Sequence, residues 1–147
     1  MTRSERLNPV IKVADNKERQ AARFMGDSLR DLEDQKKKLD ELATYRDDYA
    51  QRFTDAGKSG LSISQMNEYR RFITKINEAI VLQRRKINET QLEYEQRRLQ
   101  WTDLHSRTRA LDKVATRFRE AERRQDAKKE QKQLDENALN RRSLFTE

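Results

Sequence analysis

The segment DAGKSG, at residues 55–60, is the part of the chain whose residue types come closest to a known ligand-binding motif. A glycine, a lysine and a serine in succession look like the end of a phosphate-binding loop, G-x-x-x-x-G-K-[ST]. That motif needs a glycine six residues before the lysine, but Arg52 occupies this position. The motif also follows a strand, whereas the residues upstream have a helical period. We therefore interpret the segment as a turn and not as a nucleotide site.

The other residues that could support catalysis or metal binding do not form a site either. His105 is the only histidine, and the chain has no cysteine. Asp47 and Asp48 are adjacent, so on a helix they point to different sides and cannot act as a paired acid and base. The sequence thus predicts a protein that is not an enzyme and that carries no cofactor and no metal.

Composition favours long helices over a globular core. Only 33% of the residues are hydrophobic and 40% are charged, while glycine occurs three times and proline once. This suits a coiled coil, whose apolar seam is narrow, or a disordered chain. The longest aliphatic run, AIVL at 79–82, is far shorter than a membrane span, and the N-terminus shows no apolar signal segment.

The net charge of +7 leaves several kinds of partner open. Nucleic acid, acidic lipid headgroups and an acidic protein would all attract such a chain, and a solvated basic helix surface would also explain the charge. Acidic residues alternate with basic ones in the second half of the chain, and this weakens a surface that must follow a phosphate backbone. We therefore expect a protein partner and no nucleic acid.

Two series of apolar residues, spaced alternately by three and four, run along most of the sequence. From Leu7 to Phe53, ten of fourteen such positions are apolar, and from Met66 to Phe118 twelve of sixteen are. Between them, Gly57 and Gly60 can adopt positive φ, and Ser62 precedes Gln65 at the spacing of a capping box. The pattern predicts an all-α fold, a long antiparallel two-helix coiled coil (an α-hairpin) in which residue i faces roughly residue 117 − i.

We expect this hairpin to form a single domain, 1–147, with a helix at about 4–54, a turn at 55–61, a longer helix at about 62–138 and a mobile tail at 139–147. At 1.5 Å per residue the second helix would be roughly 110 Å long and the first some 75 Å. The last part of the second helix would therefore overhang, either as a mobile segment or as a helix that packs against another protein.

Apolar residues beside the seam suggest a second surface near the turn. Phe72, Ile76, Ala79 and Gln83 form one stripe, and Leu42, Tyr45 and Tyr49 form another on the first helix. Under the predicted register the two stripes lie together. They form either a partly exposed contact site or a local widening of the core.

These features together resemble the FliJ family, the small coiled-coil proteins of the bacterial flagellar type III export apparatus. The segments that carry the resemblance are AARFMG at 21–26, the series Leu39, Leu42, Tyr45 and Tyr49, EYRRFITKINEAI at 68–80, Trp101, and KKEQKQLDENA at 128–138. The resemblance implies a shape similar to the central stalk of rotary ATPases, with no catalytic activity. It also implies a monomer in the cytoplasm, peripheral at the inner face of the cell membrane and held there only through its partners.

The resemblance further implies three partners: the hexameric flagellar export ATPase FliI, the export gate protein FlhA, and substrate-specific export chaperones. The gate contact would fall on Phe72, Ile76, Ala79 and Gln83, where Ile76 and Gln83 stand in place of a leucine and a histidine of the family. The ATPase-ring contact would fall on Ala14, Ala21, Arg23, Arg117, Asp135 and Glu136. Two alternatives stay open: the equivalent stalk of a virulence injectisome, and a generic coiled-coil scaffold or nucleic-acid-binding hairpin.

Overall fold

The structure is a computed structural model that describes residues 1–145, and these residues form two long α-helices and no strand. Helix α1 spans Arg3–Gly57 and helix α2 spans Ile63–Phe145. They contain 55 and 83 residues respectively, so the second helix is the longer one. The predicted all-α helical hairpin is confirmed.

The end of α2 differs from the sequence-based expectation. Residues 139–145 continue the helix, whereas the sequence predicts a helix to about residue 138 and a mobile tail at 139–147. The reason is that no glycine or proline follows Gly60, so nothing in the side chains stops the helix near residue 138. Residues 146 and 147 lie outside the described part of the chain.

Capping boxes define the start of both helices. At α1 the Glu5 amide donates to the Thr2 hydroxyl and the Thr2 amide donates to the Glu5 carboxylate, at 3.3 and 2.9 Å. At α2 the Gln65 amide donates to the Ser62 hydroxyl and the Ser62 amide donates to the Gln65 side-chain oxygen, at 3.1 and 2.9 Å. Each box satisfies amide groups that have no partner within the helix. The box predicted at Ser62 is thus confirmed.

The connection between the helices tightens before the chain reverses. The amides of Lys58, Ser59 and Gly60 each donate to the carbonyl three residues earlier, at 3.2 to 3.3 Å. Gly60 has a φ of 90°, a conformation that is costly for residues with a Cβ atom. Gly57 instead ends α1 without positive φ, so of the two glycines considered for this role Gly60 fills it.

The chain divides into two compact units. One consists of Met1–Gln20 and the chain from Thr102 onward, and the other is Ala21–Trp101. Within each unit the two helices run antiparallel, as the contacts Ser4–Glu122 and Glu18–His105 in the first and Gln35–Gln83 and Tyr45–Phe72 in the second show. That the whole chain forms one domain stays a prediction.

The predicted seams are the buried face of both helices. Every seam position of α1 is buried or half-buried, and in α2 the exception is Met66, at 39% exposure. Among the described residues the buried apolar ones are few: Ala21, Leu32, Ile76, Ile80 and Ala115. A narrow core of this kind is what a two-helix coiled coil provides.

Polar residues also occupy the seam, and several of them form hydrogen bonds. In the Ala21–Trp101 unit, the Gln83 amide donates to the carbonyl and the side-chain oxygen of Gln35, at 2.9 and 2.8 Å. The buried hydroxyls of Thr90 and Thr108 donate to the carbonyls four residues earlier, at 2.7 and 3.0 Å. No buried side-chain polar atom of the described residues lacks a hydrogen bond. Because the Gln35–Gln83 pair joins the two helices and forms only at one alignment, it specifies the register that the apolar residues leave ambiguous.

Neither helix has a stretch, within residues 1–145, that is long and apolar enough to cross a membrane.

Candidate protein-interaction surfaces

An aromatic cluster fills the seam next to the turn, in the Ala21–Trp101 unit. Its members are Tyr45, Tyr49 and Phe53 from α1, and Tyr69 and Phe72 from α2. Tyr69 stacks on Tyr49 and Phe53, with ring centroids 5.7 and 3.7 Å apart. The ring centroid of Phe72 lies 3.8 Å from that of Tyr49 and 5.4 Å from that of Tyr45, which it meets edge-on. The cluster therefore brings the two predicted stripes together at the Tyr45–Phe72 pair that the register of 117 − i predicts.

The stripe associated with gate binding is only partly open to solvent. Ile76 is 6% exposed, while Phe72, Ala79 and Gln83 are half-buried. The side-chain amide of Gln83 is directed at α1, where it binds Gln35. On the adjacent α1 stripe Leu42 and Tyr49 are half-buried, and Tyr45 is 55% exposed. Tyr45 thus presents the largest accessible apolar area of this surface, and gate binding by these residues stays a prediction.

The residues associated with the ATPase ring differ in accessibility. Ala21, in the Ala21–Trp101 unit, is 8% exposed and packs in the seam, and its neighbour Arg23 is exposed. In the other unit Ala14 is half-buried, whereas Arg117, Asp135 and Glu136 are exposed. Four of the six side chains are therefore accessible to a partner.

The N-terminus of α1 is fastened to α2 by a carboxylate that sequence reasoning missed. The Glu122 side chain accepts hydrogen bonds from the Ser4 hydroxyl, at 2.6 Å, and from the Ser4 amide, at 3.1 Å. The Ser4 amide is one of the first amides of α1, which lack a partner within the helix. Arg3 lies beside the ring of Phe118, 5.8 Å from its centroid. A register of 117 − i would have paired Ser4 with residue 113, so the interaction could be found only with the alignment known.

Two carboxyl groups in the unit that contains both Ser4 and Glu122 have a lowered pKa. The hydrogen bond from His105, at 2.5 Å, lowers the pKa of Glu18, and burial opposes this effect only in part. The hydrogen bonds from the Ser4 hydroxyl and amide lower the pKa of Glu122. Both carboxylates are partners in helix-to-helix contacts, and the shifts therefore bear on folding.

Beyond Glu122, no residue of α2 is buried within the described part of the chain. Every residue from 123 to 145 is exposed, including Leu134 and Leu139, each at 63%, and Phe145 at 88%. This segment carries seven basic and four acidic residues, so its net charge is positive. A helix of this kind, regular but without buried contacts, offers a long accessible surface to another molecule.

Residues 1–145 contain no group of three or more histidines and carboxylates arranged to hold a metal ion.

Comparison with known proteins identifies one family. The family model described as "Flagellar FliJ protein" matches residues 3–143, which is nearly the whole chain. A search of curated proteins gives no match.

Proposed function

Because the chain belongs to the flagellar FliJ family and is a component of the flagellar protein export apparatus, we propose that it is the stalk that couples the export ATPase to the export gate. In this role it binds the ATPase ring FliI, the gate protein FlhA and substrate-specific chaperones. The family is a non-enzymatic part of the apparatus, and we propose that this chain has no catalytic activity of its own. The match to a flagellar family favours this system over a virulence injectisome.

The observation that carries the proposal is the exposed end of α2. A regular helix continues from Glu122 to Phe145 with no buried residue between 123 and 145. An isolated helix gains little stability from its own hydrogen bonds in water. A ring that surrounds this segment would supply the missing packing. The positive charge of the segment suits a ring with an acidic lining.

The gate protein is assigned to the surface around Tyr45. Here an exposed tyrosine adjoins the half-buried side chain of Phe72, with the ring centroids 5.4 Å apart. Aromatic residues with one accessible edge are typical anchors of protein interfaces. The surface lies in a different compact unit from the exposed end of α2, and one chain can therefore offer separate surfaces to two partners.

The proposal also includes chaperone binding and the location of this protein in the cell. We expect the protein to work in the cytoplasm at the inner face of the cell membrane, held there by its partners and as a monomer. The alternatives of a generic scaffold and of a nucleic-acid-binding hairpin predict no response of the ATPase to this protein.

The proposal can be tested by assays of the purified protein with its two main partners. We expect the chain to bind the export ATPase of the same bacterium and to raise its hydrolysis rate, and to bind the cytoplasmic domain of the gate protein. Tyr45→Asp should weaken gate binding and leave the ATPase response unchanged, because the affected side chain belongs to the Ala21–Trp101 unit and the exposed end of α2 to the other. Leu92→Asp, which also places a charge at an exposed apolar position (62%), is the control.

An unchanged hydrolysis rate together with absent ATPase binding would refute the stalk role. Equal loss of gate binding in Tyr45→Asp and Leu92→Asp would refute the assignment of the gate surface. Far-UV circular dichroism shows whether each variant keeps its helices.

A further inference from the structure

The side of α2 that faces away from α1 carries a stripe of exposed apolar residues within the Ala21–Trp101 unit. Val81, Leu92 and Leu99 are 47, 62 and 64% exposed. Their spacings of eleven and seven residues place them within about 20° of one line along the helix. The seam residues Thr90 and Tyr94 are each two positions from Leu92, which is about 160° around the helix. Helix α1 therefore cannot cover this stripe, which we call the back face of α2.

The part of the back face around Val81 is concave. A shallow groove of about 600 Å³ lies there, and its lining residues are Thr74, Asn77, Glu78, Val81, Leu82 and Arg85. Leu82 adds a second apolar side chain, which is 62% exposed. A groove lined by two apolar side chains can receive an apolar side chain of another molecule.

The back face is locally acidic, although the whole chain has a net charge of +7. Between residues 77 and 101, the charged residues within about 60° of Leu92 are Glu78, Arg85, Glu89 and Glu95. All four are exposed, and no salt bridge within the described part of the chain involves them. The next basic residue in this stretch, Arg84, lies about 80° from Leu92. Three carboxylates against one guanidinium leave the face negative.

This charge determines which kind of partner fits. Nucleic acid and anionic lipid are themselves negative and would be repelled. A second copy of the chain would present the same negative face. The stripe extends about 27 Å from Val81 to Leu99 in a nearly straight line, which suits a helix laid along it. Glu89 lies on one side of the stripe and Glu95 on the other, so basic residues on both flanks of that helix would find a partner.

We propose that the back face of α2 is a docking site for a basic amphipathic helix of another protein. Apolar residues of that helix cover Leu92 and Leu99 and fill the groove beside Val81, while its lysines or arginines pair with Glu89 and Glu95. The back face is on the opposite side of α2 from the stripe associated with gate binding, so both surfaces can be occupied at the same time. This docking role does not depend on the proposed stalk function.

Two synthetic peptides serve as matched probes. Each consists of three heptads with leucine at positions a and d; one has lysine at the flanking positions e and g, and the other has glutamate there. We expect the full chain to bind the lysine peptide at least about tenfold more tightly at low ionic strength, as measured by fluorescence anisotropy of the labelled peptide. Added salt should reduce the difference. The net charge of +7 alone would favour the glutamate peptide, so the order of affinities reports on the local face.

Exposed leucines give a matched pair of variants. Leu92→Ala/Leu99→Ala should weaken binding of the lysine peptide by about tenfold or more, because it removes the apolar centre of the face. Leu134→Ala/Leu139→Ala removes two leucines of similar exposure, each 63%, from the end of the same helix and should change the affinity by no more than about twofold. Far-UV circular dichroism should show wild-type helicity in both variants, because all four leucines are more than 60% exposed.

Charge is tested separately. Glu89→Gln/Glu95→Gln should weaken binding of the lysine peptide by about fivefold at low ionic strength and make the affinity less sensitive to salt. Glu33→Gln/Glu41→Gln neutralises two exposed carboxylates of α1 and should leave the affinity within about twofold of the wild type.

Several results would overturn the docking role. These are equal binding of the two peptides, tighter binding of the glutamate peptide, binding of neither, or a loss in Leu134→Ala/Leu139→Ala as large as that in Leu92→Ala/Leu99→Ala. A dimer in sedimentation equilibrium that becomes a monomer in Leu92→Ala/Leu99→Ala would assign the face to a second copy. Binding to vesicles of anionic lipid that is lost in the same variant would assign it to a membrane.

Discussion

Gln83 shows how a single side chain can belong to two predicted sets. Its position falls both in the seam of α2 and in the stripe associated with gate binding. Periodicity places a residue on a face of the helix, but it does not tell in which direction a long polar side chain turns at the edge of that face. In the structure the amide turns to α1 and binds Gln35 twice, at 2.9 and 2.8 Å. Gln83 is thus primarily a register-setting residue.

The first prediction concerns this pair. Gln83→Ala should lower the free energy of unfolding by about 1–2 kcal/mol, because the half-buried amide is lost and Gln35 keeps an unpaired oxygen. Chemical denaturation of the full chain measures the change.

The control for this prediction is Gln91→Ala, which removes a surface hydrogen bond to Glu95. We expect this change to cost less than about 0.5 kcal/mol. Similar costs for both substitutions would show that Gln83 does not set the register.

The second prediction concerns pH. The hydrogen bonds that Glu18 and Glu122 accept lower the pKa of each carboxyl in the folded protein below its unfolded value, 4.5. A group of this kind contributes stability above the unfolded value and loses it as the pH falls through the folded value. The chain should therefore lose stability below about pH 4.5.

The double variant Glu18→Gln/Glu122→Gln tests this prediction, because glutamine keeps an acceptor oxygen but does not titrate. Thermal unfolding between pH 6 and pH 3 should be less dependent on pH in the variant than in the wild type. Parallel curves would show that other carboxylates determine the acid sensitivity.

At the level of the helices, the boundaries were predictable where the sequence supplies a signal for them. Ser62 and Gln65 mark the start of α2, and Gly60 marks the turn before it. The end of α2 was not predictable in this way. The sequence up to Phe145 lacks a stop signal, and low hydrophobicity suggests fraying where the structure shows a helix.

The third prediction concerns the start of α2. Ser62→Ala removes the hydroxyl that accepts the Gln65 amide and should lower the free energy of unfolding by about 1 kcal/mol. Ser64→Ala lies two residues further on, inside the helix and exposed, and should be neutral or slightly stabilising because alanine favours helix. Equal effects of the two changes in chemical denaturation would contradict a capping role for Ser62.

At the level of the whole chain, the fold was predictable because two regular apolar seams separated by a glycine turn permit few other arrangements. The register of the two helices was less predictable than the fold. Tyr45 and Phe72 pair as expected, but Ser4 pairs with Glu122 instead of residue 113. Apolar seam residues at heptad spacing fit several alignments almost equally well, and only the polar contacts distinguish them.

The candidate sites were predictable only in part. The resemblance to the family supplied the residues, whereas accessibility depends on packing that the sequence does not specify. Tyr45 and Glu136 are exposed, but Ile76 and Ala21 lie in the core of the helix pair.

The fourth prediction concerns the segment after Glu122. Removal of everything after this residue should leave the midpoint of thermal unfolding within about 2 °C of the wild type, because residues 123–145 are all exposed. The far-UV helical signal should fall in proportion to the residues removed. A clearly lower midpoint would show that the segment stabilises the helix pair. If the shortened protein binds the export ATPase as tightly as the wild type, the segment has no part in the ring contact.

The hydrogen bonds between Gln35 and Gln83 and the ring contact of Tyr45 with Phe72 limit how this stretch can change in length. Adding a single amino acid to one helix between these two contacts would turn everything after it by about 100°, and the far contact would be lost. Gains or losses in related sequences should therefore come as matched sevens, the same number in each helix, because only these keep both the facing side chains and their positions along the axis aligned. A gene library that inserts codons throughout this stretch would reveal that rule directly.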